Sequence, residues 1–179
     1  PPYLMFGKSR SGCLGGNTIV QDDDLLGYIS FNGSDGNDLD GGAAAIQALV
    51  DGTPGSNDMP GRLEFMTTSD GSNSPTTRVT INRSGDLTAT GNVTAYSDIS
   101  LKENIETIPN ALDKVLNLRG VEFDRTDTPE EQHQIGVIAQ EVEEIVPEVV
   151  ITHKDGLKSV AYGNLVGLLI ESIKELKAE

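Results

Sequence analysis

Large apolar side chains are too scarce in the first half of this chain to build a core of ordinary thickness. Aromatic residues are 4% of the 179 residues, tryptophan is absent, and glycine occurs 20 times. Through residues 1–96 short apolar patches alternate with Gly, Asp, Asn, Ser and Thr. Ordering such a segment costs backbone entropy that few buried side chains offset. A stretch of this kind gains stability by burying surface between chains, as a trimeric or intertwined β-stalk does.

Local patterns in that half read as strands and turns. Tyr28–Phe31 leads into the turn-forming Asn32-Gly33-Ser34-Asp35-Gly36-Asn37. Extended, Ala44, Ile46, Ala48 and Val50 share a side, and periodicity alone leaves a short helix open. Asp51-Gly52-Thr53-Pro54-Gly55 signals a turn. Leu63 and Phe65 alternate with Arg62 and Glu64, and Val79 and Ile81 with Arg78, Thr80 and Asn82. After a turn at Arg83–Asp86, Leu87–Thr90 and Val93–Ala95 continue the series of short strands.

From Ser97 onward the periodicity is mixed. Ser100-x-x-Glu103 matches a capping box and predicts a helical turn starting at Ser100. Pro109–Asn117 reads as a helix with Leu112, Val115 and Leu116 on its apolar face, and Gly120–Phe123 as a strand. Thr126–His133 is polar and reads as an exposed loop. Ile138, Val142 and Ile145 mark a second helix that Pro147 ends, and 149–161 a hairpin turning at Lys154-Asp155-Gly156. Val166, Leu169, Ile173 and Leu176 are spaced three, four, three. That spacing suits either a coiled-coil seam or the docked face of a single amphipathic helix. The expected fold class is α+β: an all-β stalk over 1–96, then a mixed helical domain over 97–179 with a coiled-coil-like C-terminal helix.

Several functions are disfavoured. Net charge is −15 and the pI about 4.3, with both halves acidic, which argues against nucleic acid as a partner. No apolar run approaches the roughly 20 residues of a membrane span, so no membrane insertion is expected. Cys13 is the single cysteine, so there is no internal disulfide framework. Asp22, Asp23, Asp24, Asp35, Asp38 and Asp40 invite a calcium loop, but from Asp35 the fifth position is Leu39 and no glutamate closes the twelfth. They read as turn carboxylates, and no metal is expected. His133 and His153 lack partners at ligand spacing and read as surface residues. No phosphate-binding loop is present, and no cofactor is expected. A glycan-cleaving cleft needs paired acids lined by aromatics, which this composition disfavours. The start at Pro1-Pro2, without Met, suggests a piece of a longer chain.

One pair carries covalent chemistry. Ser97 stands five residues before Lys102. A neutral lysine amine can take the proton of a serine hydroxyl and make it a nucleophile. Residues five apart share neither a helix face nor a strand face, so the two meet only if the backbone turns between them.

The residues around the pair extend the case. Ser97-Asp98-x-x-Leu101-Lys102-x-Asn104-Ile105 is followed by Ala111-Leu112-Asp113-Lys114-Val115 and Leu118-Arg119-Gly120-Val121-Glu122-Phe123. Then come Ile135-Gly136-Val137-Ile138-Ala139-Gln140-Glu141-Val142, Val146-Pro147-Glu148-Val149-Val150, Ser159-Val160-Ala161-Tyr162 and the run from Leu165 to Leu176. In that order these motifs cover 97–179 and resemble the C-terminal intramolecular chaperone domain of endosialidases and other phage tail fibres and tailspikes. More loosely, 27–91 resembles segments that precede such domains.

The resemblance implies a homotrimer, joined here along Val166, Leu169, Ile173 and Leu176, that folds the upstream fibre and then cuts itself off. The cut would fall between Tyr96 and Ser97, with Ser97 as nucleophile and Lys102 as general base, in a single turnover. It further implies a virion location for the fibre, release of the chaperone in the host cytoplasm, and a host receptor or glycan as partner through the fibre. The alternative is a non-cleaving trimeric cap, with receptor binding a further role open to it.

Overall fold

The computed structural model describes residues 1–127 and 133–178. The chain forms two compact units, Pro1–Ala95 and Tyr96–Glu179.

In the first unit five antiparallel strands follow one another as a meander: β1 (Leu25–Asn32), β2 (Gly42–Val50), β3 (Gly61–Thr67), β4 (Thr76–Ile81) and β5 (Leu87–Ala89). The run at 44–50 is therefore a strand, not a helix. It pairs on both sides, with Ile46 opposite Ile29 on β1 and Phe65 on β3. Phe65 in turn faces Val79, and Val79 faces Ala89, so one row of apolar residues crosses all five strands. Beside it Ala48, Leu63, Ile81 and Leu87 form a second row. Period two places both rows on one face, and cross-strand pairs of this kind stabilise a sheet. The face is not sealed: Ile29, Phe31, Phe65 and Leu87 are exposed.

The other face carries a polar network. Glu64 is 9% exposed and accepts from Gln47 Nε2 at 2.7 Å, Thr77 Oγ1 at 2.8 Å and Arg62 Nε at 2.8 Å. Arg62 also pairs with Asp23 at 2.8 Å. A carboxylate is tolerated at this depth because its lone pairs are engaged. The acidic residues elsewhere hold turns. Asp35 accepts from the N–H of Asn37 at 2.8 Å and of Asp38 at 3.2 Å, and Asp22 from Gly52 N at 2.7 Å. Arg10 and then the Gln21 N–H hold the Asp24 carboxyl down to about 2. The expected strand at Val93–Ala95 does not form. The ladder ends with Thr90 N donating to Arg78 O at 2.9 Å, and Gly91 and Asn92 then break it.

Among its described residues the second unit has three α-helices and two hairpins. They are α1 (Ala111–Asn117), β6 (Gly120–Asp124), β7 (His133–Val137), α2 (Ala139–Ile145), β8 (Val150–Thr152), β9 (Lys158–Val160) and α3 (Leu165–Ala178). Ala111, Val142, Val146, Val149 and Leu168 make the core, with Ile108, Val115 and Leu165 packed against it. Leu116, expected on the buried face of α1, is exposed, and Ala111 takes its place. Of the expected loop, Thr128–Gln132 lie outside the described residues. His133 belongs to β7 instead, where its ring sits 2.9 Å from Asp124 Oδ1. The turn of the second hairpin is closed by Gly156 at φ 87°.

Helix α1 has no cap of its own. Its N-cap Asn110 is left-handed and makes no side-chain bond. The free N–H groups of Ala111 and Leu112 instead donate to Glu175 of α3, at 3.0 and 2.7 Å. Those two N–H groups, Leu112 first, lower the Glu175 carboxyl from its ordinary value of 4.5. A depressed carboxylate stabilises the fold above the unfolded-state pKa and loses that contribution as pH falls through the folded one. Glu175→Ala should therefore lower the thermal midpoint of this unit by a few degrees near pH 7, and by less as pH drops well below 4.5. Circular dichroism melts at both ends of that range check it. An equal loss at both ends would mean that the carboxylate bonds are not the cause.

Candidate active site

The segment between Ser97 and Lys102 is a tight turn. Ile99–Leu101 forms one 3-10 turn, closed by Leu101 N donating to Asp98 O at 3.2 Å and Lys102 N to Ile99 O at 3.1 Å. Its cap is Asp98, whose Oδ1 accepts from the Ser100 N–H at 2.8 Å and the Ser100 hydroxyl at 2.6 Å. This corrects the expected capping box: the turn starts two residues earlier, and Ser100 lies inside it as a donor. Aspartate wins because its carboxylate takes both donors of Ser100 at once. Those bonds, the hydroxyl's first, keep the Asp98 carboxyl below its ordinary range.

The turn brings the two sequence candidates together. Lys102 Nζ donates to Ser97 Oγ at 2.7 Å and to Ser97 O at 2.9 Å. With the amine neutral, the same 2.7 Å contact would let the serine hydroxyl donate to nitrogen, the geometry of a general base. Asn104, at φ 52°, turns the chain again two residues later, a left-handed conformation that asparagine tolerates. Tyr96 is 97% exposed, and Ile99, Leu101 and Ile105 are exposed around it.

Residues 97–151 match the chaperone of endosialidase family. The long tail fiber protein Gp37 of Enterobacteria phage K3 and that of Enterobacteria phage T2 are each 33% identical to this chain over 108 residues, 54% of it. The chain spans only 9% and 8% of those two proteins. Among solved structures, the carboxy-terminal domain of the bacteriophage T5 L-shaped tail fibre with its intra-molecular chaperone domain aligns with 99% of this chain and 58% of its own. That alignment has 13% identity and a TM-score of 0.41.

Both Ser97 and Lys102 fall inside the chaperone of endosialidase match, at its first residue and five later. On α3, beyond the matched span, Val166, Leu169, Ile173 and Leu176 lie together on the outward side, all exposed, with Ile170 among them. The helix docks through a different face, Leu165, Leu168 and Ser172, so those outward residues are not the ones that attach it to its own unit. Among the described residues no three His, Cys, Asp or Glu side chains gather to hold a metal, and no helix is long and apolar enough to cross a membrane. Sequence reasoning missed the contacts of Asp98 and Glu175. An Asp with Ser two residues on is a recognised turn signal and could have revealed the first. Nothing local marks the second.

Proposed function

We propose that residues 97–179 template the assembly of 1–96 as a homotrimer and then cut the Tyr96–Ser97 bond. The observation that carries this is the 2.7 Å contact of Lys102 Nζ with Ser97 Oγ in a segment that matches the chaperone of endosialidase family. Neutral Lys102 takes the hydroxyl proton as Ser97 Oγ bonds to the Tyr96 carbonyl carbon. The C–N bond breaks, the proton passes to the new Ser97 amine, and Tyr96 is left as an ester on the serine. Water hydrolyses that ester, freeing a Tyr96 carboxylate and restoring the hydroxyl. The 1–96 part serves as a segment of a phage tail fibre in the virion, facing a host receptor or glycan. The shed chaperone stays in the host cytoplasm. The tail-fibre relatives and the apolar side chains left exposed on the five-stranded sheet, Ile29, Phe31, Phe65 and Leu87, support this reading.

A second reading, a trimeric cap that does not cut, is favoured by the exposure of the site on its own chain. Refolding separates a template from a cap. Ser97→Ala protein, denatured in guanidinium and diluted, should recover its trimer, whereas 1–96 alone should aggregate or stay monomeric. Equal recovery would leave the cap reading.

A further inference from the structure

We propose that Asp98 is the positioning residue of this site, holding the turn that carries Lys102 back onto Ser97. The proposal rests on the serine–lysine reading above and adds to it. Two partners five residues apart require the chain to reverse within a single turn. That turn is exposed, and none of its residues is buried, so packing on its own unit does not hold it. Its backbone bonds lie at the upper end of the ordinary range, at 3.2 and 3.1 Å. The short bonds are those of Asp98 to Ser100, at 2.8 and 2.6 Å. Lys102 directs its hydrogen bonds to Ser97 and not to Asp98. Asp98 therefore acts through hydrogen bonds to the turn and not as a counter-ion to the base. Asparagine, which keeps an acceptor oxygen and is as good a cap, should replace it.

The test measures cutting of the full chain against time in denaturing gels. Asp98→Ala should cut about tenfold more slowly, the population lost when a turn loses a good cap. Asp98→Asn should restore the rate to within about twofold, with the pH dependence keeping its shape in both variants. Ser100→Ala, which keeps the N–H donor and loses the hydroxyl, should fall between. Asp98→Ala cutting at the wild-type rate would overturn the proposal. So would Asp98→Asn as slow as Ala, because the charge and not the cap would then matter. The Ser97→Ala control separates the two readings: if it still cuts, the serine–lysine reading fails whatever Asp98 does. A wild-type chain that never cuts would fail that reading too, and the turn is then read directly. Nuclear Overhauser contacts between the Ser97 and Lys102 side chains should persist in Asp98→Asn and vanish in Asp98→Ala. Their survival in Asp98→Ala would overturn the positioning role.

Discussion

Ser97→Ala should be recovered as one full-length chain, and Lys102→Ala nearly so. On the proposed mechanism Ser97→Ala removes the nucleophile and Lys102→Ala its base, and losing either partner of such a unit costs at least about 10³-fold. Lys102→Ala leaves the hydroxyl in place but takes away the group 2.7 Å from it that can accept its proton. Lys102→Arg should fail equally, since guanidinium does not give up a proton at accessible pH. Electrophoresis of each variant over a day reads all of this. Fragments from Ser97→Ala that still end at Tyr96 would remove the assignment of nucleophile.

Two neighbouring leucines should behave oppositely. Leu168 is 2% exposed and packs with Ala111, Val142, Val146 and Val149, so Leu168→Ala should destabilise the second unit by about 2–5 kcal/mol. Leu169 is 46% exposed on the outward face of α3 beside Val166, Ile173 and Leu176. Leu169→Asp should leave the helical signal of the unit nearly unchanged. It should nonetheless yield monomers by light scattering, because three such faces brought together would bury the charge. Cutting should be lost with the trimer, since an exposed turn holds a catalytic geometry firmly only when packed. An intact trimer, or full cutting by a monomer, would break the link between assembly and chemistry.

What could be read from the residues alone followed physical locality. The strands at Leu63–Phe65 and Val79–Ile81 were legible because one polar and one apolar face force alternation. The 44–50 run was not, because alanine suits both a helix and a strand until a partner lies on each side. The outward spacing of Val166, Leu169, Ile173 and Leu176 was visible as a pattern. The face that docks α3 was obscured by Ser172, a polar residue buried through a bond from its hydroxyl to Leu169 O at 2.9 Å. At the site, the chemistry of Ser97 and Lys102 and the motifs around them suggested the pair, but a spacing of five left their meeting to a turn that only the structure supplies, at Ile99–Leu101. The cap was misplaced because Ser100-x-x-Glu103 and Asp98-x-Ser100 both satisfy local rules, and only the geometry ranks them. Glu175 lies 64 residues from the amide of Ala111 that it caps, beyond the reach of any local motif.

The central claim is that this chain cuts itself once, between Tyr96 and Ser97. Intact-mass spectrometry of freshly made wild-type protein, followed over time, tests it most directly. The account predicts that the full-length mass gives way to two species, residues 1–96 and 97–179, together heavier than the intact chain by one water, the second beginning with serine. A single unchanged mass, or a cut at any other bond, would contradict it.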